Sequence, residues 1–191
     1  MNTRLSVILG FVLFIVALVG IVHGTRAGLA QLLNYRAKFG PAARDPDQVA
    51  ALCGRAMRLY PYNYHICVLT AALLYDIAQA DSSRAAHLMP LARYWCGRGL
   101  ELTPYKLRLR WLQTRFLWQE APERAIRSWE EFTAWNFWEP YNHAYMAQLY
   151  AQAGHVAKAE KEMVWAKGAS IYEQTAAIVT AVRTSPTPPA P

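Results

Sequence analysis

The most constraining feature of this 191-residue chain is a correspondence at a fixed offset within residues 104–168. Leu112 and Met146, Phe116 and Tyr150, Ala125 and Ala159, Trp129 and Met163, and Phe132 and Ala166 each stand 34 positions apart. A self-similarity of that length and residue class reads as one helix–turn–helix unit written twice. One helical hairpin cannot bury its own apolar stripe, so such units are stable only when stacked on neighbours. The expected fold class is therefore all-α: an irregular array of antiparallel helix pairs (an α-solenoid), preceded by a transmembrane helix.

Proline punctuates the same plan. The phrases Pro61-Tyr62-Asn63, Pro104-Tyr105-Lys106 and Pro140-Tyr141-Asn142 each follow one helical pattern and open the next. The residues ahead of the first two superimpose at a separation of 43. Helices are expected over residues 46–59, 63–80, 84–102, 107–119, 122–135, 141–153, 156–168 and 170–183. Asp45 is the expected N-cap of the first, with Pro46 in its first turn. Pro122 opens another in the same way, and Gly154-His155 marks a turn. Pro90 falls inside the 84–102 pattern, where it is expected to kink or offset the helix.

Residues 5–22 carry no charge and only Ser6 as a polar side chain. As a helix they span about 27 Å, against a hydrocarbon core of roughly 30 Å. A secretory leader has a shorter apolar region behind a more basic start. An uncleaved anchor is the expectation, with cleavage near Val22-His23-Gly24 as the alternative. Small residues at Gly10, Ala17, Gly20, Gly24 and Gly28 fall near one face, which suits close packing of a partner transmembrane helix. Orientation has two readings. Arg26, Arg36, Lys38 and Arg44 follow the run and only Arg4 precedes it, which places the large domain inside by charge counting. A very short tail before a single apolar helix instead suits export, and a periplasmic or otherwise extracytoplasmic domain is the expectation. The organisation expected is an anchor over 1–24, a juxtamembrane helix and linker over 25–44, repeats over 45–183, and a disordered Pro-rich tail over 184–191.

Residues 45–168 resemble the tetratricopeptide repeat family. The last unit supplies Met146, Ala147, Tyr150, Gly154, Ala159, Met163 and Ala166 at the family's key positions. The unit before it supplies Leu109, Leu112, Phe116, Ala125, Trp129 and Phe132, with Gln113 where a small residue is usual and Glu120 where the turn glycine is usual. An earlier unit matches through Ala92, Cys96, Gly99 and Pro104, and the first through Cys53, Ala56 and Pro61. The resemblance implies a protein-binding scaffold in which the first helix of each pair lines a concave face. The expected function is thus a non-catalytic, membrane-anchored scaffold or accessory subunit that docks a protein in a membrane complex. The alternative is an accessory factor that binds an envelope polysaccharide or serves its biosynthesis.

Charge narrows where such docking would occur. Between Arg84 and Arg127 nine Lys/Arg face three acids, so most of the chain's formal +7 sits there. A zone of that kind favours an acidic partner first, then an anionic membrane surface, then nucleic acid. Within it, Arg108 and Arg115 are seven apart, as are Trp111 and Trp118, which sets cations beside indoles on one helix. The partner-binding residues expected are Arg108, Arg110, Arg115 and Trp118, continued by Tyr141, Tyr145 and Gln148. Trp111 and Trp118 also read as packing residues on an apolar helix. The aromatics Trp135, Phe137 and Trp138 stand at the connection before Pro140, as filler or as an interfacial patch. Nucleic acid is not expected of a membrane-anchored chain.

No catalytic, cofactor or metal site is expected. His23, His65, His87, His143 and His155 show no i, i+4 pair, and Glu130 and Glu131 lack a convergent partner. There is no glycine-rich phosphate loop and no GxSxG. Cys53, Cys67 and Cys96 lack CxxC spacing and read as buried small hydrophobes, with a Cys53–Cys67 bridge as the alternative in an exported domain.

Overall fold

A computed structural model describes residues 3–184. Within them lie nine α-helices, one 3-10 turn and no strand, which makes the chain all-helical. Helix α1 (Thr3–Phe39) is the longest and has two environments. From residue 7 to 26 every side chain is exposed. From Ala27 onward one stripe turns inward: Ala30, Asn34 and Ala37 are buried, with Ala27 and Leu33 half-buried. Steps of three and four place these residues on one helical face, and that face lies on α2. The apolar run and the juxtamembrane residues are thus one unbroken helix.

Gly40 ends α1. Its N–H donates to the Arg36 carbonyl at 2.9 Å, and a Cβ there would stand 2.5 Å from that same oxygen. A 3-10 turn (Pro41–Arg44) then leads into α2 (Pro46–Leu59). The Asp45 carboxylate accepts from the backbone N–H groups of Asp47 and Gln48, and Pro46 sits in the first turn, as the sequence signals require. Helix α2 runs back along α1. Its far end is held by Arg26, whose Nε donates to the Leu59 carbonyl at 3.1 Å and whose Nη2 donates to the Arg58 carbonyl at 3.5 Å. The guanidinium so satisfies carbonyls that a helix C-terminus otherwise leaves open.

Helices α3 (Tyr64–Ala80) and α4 (Ser82–Leu102) pack on each other and α3 packs on α2. Asp81 caps α4, accepting from Ser83. Pro90 lies within α4 on an exposed position, and the helix continues through it. His87 meets Asp47 at 2.7 Å and ties α4 to α2. These elements make up a first compact unit, Met1–Pro104. The division at Pro104 falls inside the 45–183 segment that the sequence presents as a single domain.

The second unit, Tyr105–Pro191, contains α5 (Leu107–Glu120), α6 (Pro122–Trp135), α7 (Pro140–Gln152), α8 (Val156–Trp165) and α9 (Tyr172–Thr184). Helix α5 pairs with α6, and α7 packs against α6, α8 and α9. Being covered on three sides, α7 is buried almost all round, from Asn142 to Ala151. Trp129 fills the centre, fully buried among Phe132 and Tyr145, and its indole N–H donates to the Asn142 carbonyl at 3.0 Å. Gly154 and Gly168 have φ of +80° and +92°, a left-handed backbone that glycine adopts without strain. Helix α8 stops at Trp165, three residues short of the expected end. The Pro-rich tail, expected to be disordered, lies from residue 185 outside the described residues.

Candidate functional site

The basic and aromatic residues of α5 are arranged around one indole. The Arg108 guanidinium lies 4.6 Å from the Trp111 ring centroid and that of Arg115 lies 5.8 Å from it. The seven-residue spacing brings both cations to Trp111, one turn above and one turn below. The underside of Trp111 rests on the aromatic core of the unit, which holds the ring in place. Each such contact contributes about 0.5–1 kcal/mol at an exposed site and fixes the direction of the guanidinium.

The other expected residues divide. Tyr141, at the start of α7, is half-buried, and burial pushes its hydroxyl pKa up while the nearby Arg108 charge pulls it down. The charge of Arg108 on α5 thus reaches the hydroxyl of Tyr141 on α7. Tyr145 stacks parallel to Tyr141 with centroids 6.4 Å apart, but it is 6% exposed and meets the Trp129 ring edge-on. It therefore backs the surface without offering a face. Trp118 is half-buried against the same core. Arg110 donates to the Gln113 side chain at 3.1 Å, and Gln148 donates to Thr175 at 2.8 Å, which ties α7 to α9. The surface that results is a pair of guanidiniums over an indole with a phenol beside them. Such a set recognises carboxylates or other oxyanions with an apolar neighbour. In α1, a Cβ at Gly10, Gly20, Gly24 or Gly28 would meet nothing within 4 Å, and Ala17 is exposed, so the small-residue stripe is open along its length.

One polar pair carries no sequence signal. His143 is buried with Nδ1 2.6 Å from a Glu162 carboxylate oxygen and Nε2 2.6 Å from the Phe137 carbonyl. The carbonyl can only accept, so Nε2 donates to it, and Nδ1 faces the Glu162 carboxylate. Both ring nitrogens are engaged, and through them the half-exposed Glu162 and the buried His143 fasten the 136–139 connection. His143 and Glu162 are 19 residues apart on different helices, which is why no spacing rule finds them. Tyr150 likewise donates to Glu130 across the α6–α7 interface; burial first, then this bond, raises its pKa.

In the first unit, Cys53, Cys67 and Cys96 are buried thiols outside any disulfide. Burial pushes the Cys53 thiol up and Cys67 to about 11, so neither is a thiolate near neutral pH. A cleft of about 280 Å³ between α1, α2 and α3 is lined by Ala37, Val49, Cys53, Leu73 and other apolar groups, with Asn34 and Thr70 as its buried polar members. Among the described residues no three His, Cys, Asp or Glu side chains converge as metal ligands. No family model matches the chain, and no curated protein and no solved structure matches it.

Proposed function

We propose that this protein is a membrane-anchored scaffold of the tetratricopeptide-like kind, in which α1 holds the bilayer and the second unit docks an acidic protein partner. The observation that carries the reading is the Arg108–Trp111–Arg115 cluster with Tyr141 beside it. Ordered guanidiniums on a supporting indole lose little freedom on binding a carboxylate, and aromatic and Arg side chains are the usual anchors of protein interfaces. Support for the anchor is the length and composition of α1: residues 7–39 contain a window of mean hydropathy 2.7, with none of it buried. The open stripe of Gly10, Ala17, Gly20, Gly24 and Gly28 would seat a partner transmembrane helix. No chemical step is assigned, since the one buried His–Glu pair has both ring nitrogens engaged.

The test is site-specific photo-crosslinking from position 118 in intact membranes. A discrete heterologous adduct that disappears in Arg108→Glu/Arg115→Glu supports docking at this surface; an adduct that persists removes the basic cluster from the reading. A second reading, polysaccharide binding, is favoured by one observation. Tyr105 and Trp135 stack at 4.1 Å and 11°, and Trp138 is 83% exposed, which together offer flat aromatic platforms for sugar rings. Glycan-array binding by the detergent-solubilised chain, lost in Trp135→Ala or Trp138→Ala, would favour that reading over protein docking.

A further inference from the structure

We infer that the turn joining α2 to α3, with Tyr60 and Tyr62, is an interfacial foot that rests in the headgroup layer of the bilayer crossed by α1. The inference rests on α1 being a membrane anchor. It adds where the first unit meets the lipid.

The level of the turn is set by one side chain. Arg26 bonds the last carbonyls of α2, so the C-terminus of α2 stands beside Arg26 on α1. Helix α2 runs toward the apolar end of α1, and the chain beyond Leu59 therefore continues toward the membrane. The uncharged run ends at Val22, four residues before Arg26, a rise of about 6 Å along the helix. The headgroup layer of one leaflet is roughly 5–8 Å thick, so Arg26 and the turn fall within it. Because α1 is unbroken from Thr3 to Phe39 and α2 is docked on it, no hinge separates the turn from the anchor.

The chemistry of the turn suits that depth. Tyr60 and Tyr62 are exposed, Tyr62 at 74%, and their rings meet edge to face at 6.3 Å. Tyrosines collect where an apolar ring and a wet hydroxyl are both accommodated. Beside them a cleft of about 250 Å³ is lined by Arg58, Pro61, Tyr94, Trp95 and Arg98. Arg98 is paired with Glu101, while Arg58 and Arg26 add positive charge at the same end. A basic, tyrosine-bearing end matches an anionic headgroup layer. The opposite end of α2 carries the acid Asp47 instead.

The test uses nitroxide labels in the full chain, reconstituted at one chain per nanodisc of phosphatidylcholine and phosphatidylglycerol. Labels are placed singly at Tyr62→Cys, at Phe14→Cys in the apolar run and at Asp47→Cys at the far end of α2. The native thiols are buried and do not compete. The expected result is a Phe14 label reached by oxygen only, an Asp47 label open to a water-soluble nickel chelate, and a Tyr62 label shielded at least about threefold against that chelate, as an interfacial group is. Arg58→Glu should weaken the shielding in anionic discs. A Phe14 label in hydrocarbon with Tyr62 as open as Asp47 overturns the foot and leaves the anchor standing. A Phe14 label open to the chelate overturns both. Shielding that appears only when two chains share a disc assigns the turn to a second copy and overturns the lipid contact.

Discussion

The two units bury different kinds of residue. The first packs small side chains (Ala56, Ala71, Ala78 and Ala92 with Cys53, Cys67 and Cys96) around the aliphatics Val49, Ile66, Leu74 and Leu88, with Tyr75 and Trp95 as the buried aromatics among its described residues. The second has buried alanines too, but its cluster is built on rings, with Trp129, Phe132, Tyr145 and Tyr150 buried together. Small residues let helix backbones approach closely, and the first unit is the one that extends α1 into α2. Rings fill a wider space and expose one edge of the cluster, and the second unit uses that to support Trp111 and its two guanidiniums. The unit that continues the anchor and the unit that presents a surface are thus packed by different means.

The contrast breaks first at Trp129. Trp129→Ala empties the centre of the second unit and leaves the buried Asn142 carbonyl without its donor. The expected cost is about 3–5 kcal/mol. Six of the seven tryptophans lie in the second unit and only Trp95 in the first, so fluorescence-detected denaturation follows the second unit almost alone. The fluorescence transition should fall well below the helical circular dichroism transition. Coincident transitions would mean the units unfold as one.

The opposite change belongs in the first unit. Ala71 is fully buried on α3, and Ala71→Leu should overpack it at a cost of about 1–3 kcal/mol. Here circular dichroism should lose an early fraction of helix while the tryptophan signal holds. If Ala71→Leu is neutral, the small-residue core is loosely packed and the comparison loses its first half.

A smaller effect sharpens the first unit through pH. The Gln48 backbone N–H, then that of Asp47, holds the Asp45 carboxyl below its ordinary value of 3.8. A depressed folded value contributes stability that is present above the unfolded value and is lost as pH falls through the folded one. Asn caps about as well as Asp but does not titrate in this range. From about pH 4 downward the wild-type advantage over Asp45→Asn should therefore shrink, and it should vanish only once pH is below the lowered folded value, a difference readable as the change in melting temperature with pH. An advantage unchanged down to pH 2 would mean the cap does not carry it.

Local chemistry was legible wherever a residue type dictates backbone. Pro122 opens α6, Asp45-Pro46 opens α2 and Gly154 turns α7 into α8, all at the expected positions. The apolar run and the pairing of α5 with α6 and of α7 with α8 follow from hydrophobic pattern and loop length. What stayed illegible depends on how many neighbours a helix has. Nothing in the residues of α7 tells that three helices cover it, so Tyr145 reads as surface although it packs on Trp129. The charges of α5 likewise read as a ladder of two cations and two indoles. The fold sets both cations on Trp111 and gives Trp118 to the core, because only the packed unit decides which indole is wedged beneath. The His143–Glu162 pair joins α7 to α8 through a contact that no periodicity encodes.

The claim that the first unit holds the membrane while the second docks the partner meets its most direct test in one quantity. That quantity is the yield of the heterologous adduct from position 118 in intact membranes, compared between the wild-type chain and Arg108→Glu/Arg115→Glu. Arg108 is exposed and Arg115 half-buried, so circular dichroism first checks that the variant stays folded; the adduct should then fall about tenfold or more, the scale of a lost charged anchor. An equal yield from the two chains would contradict the account.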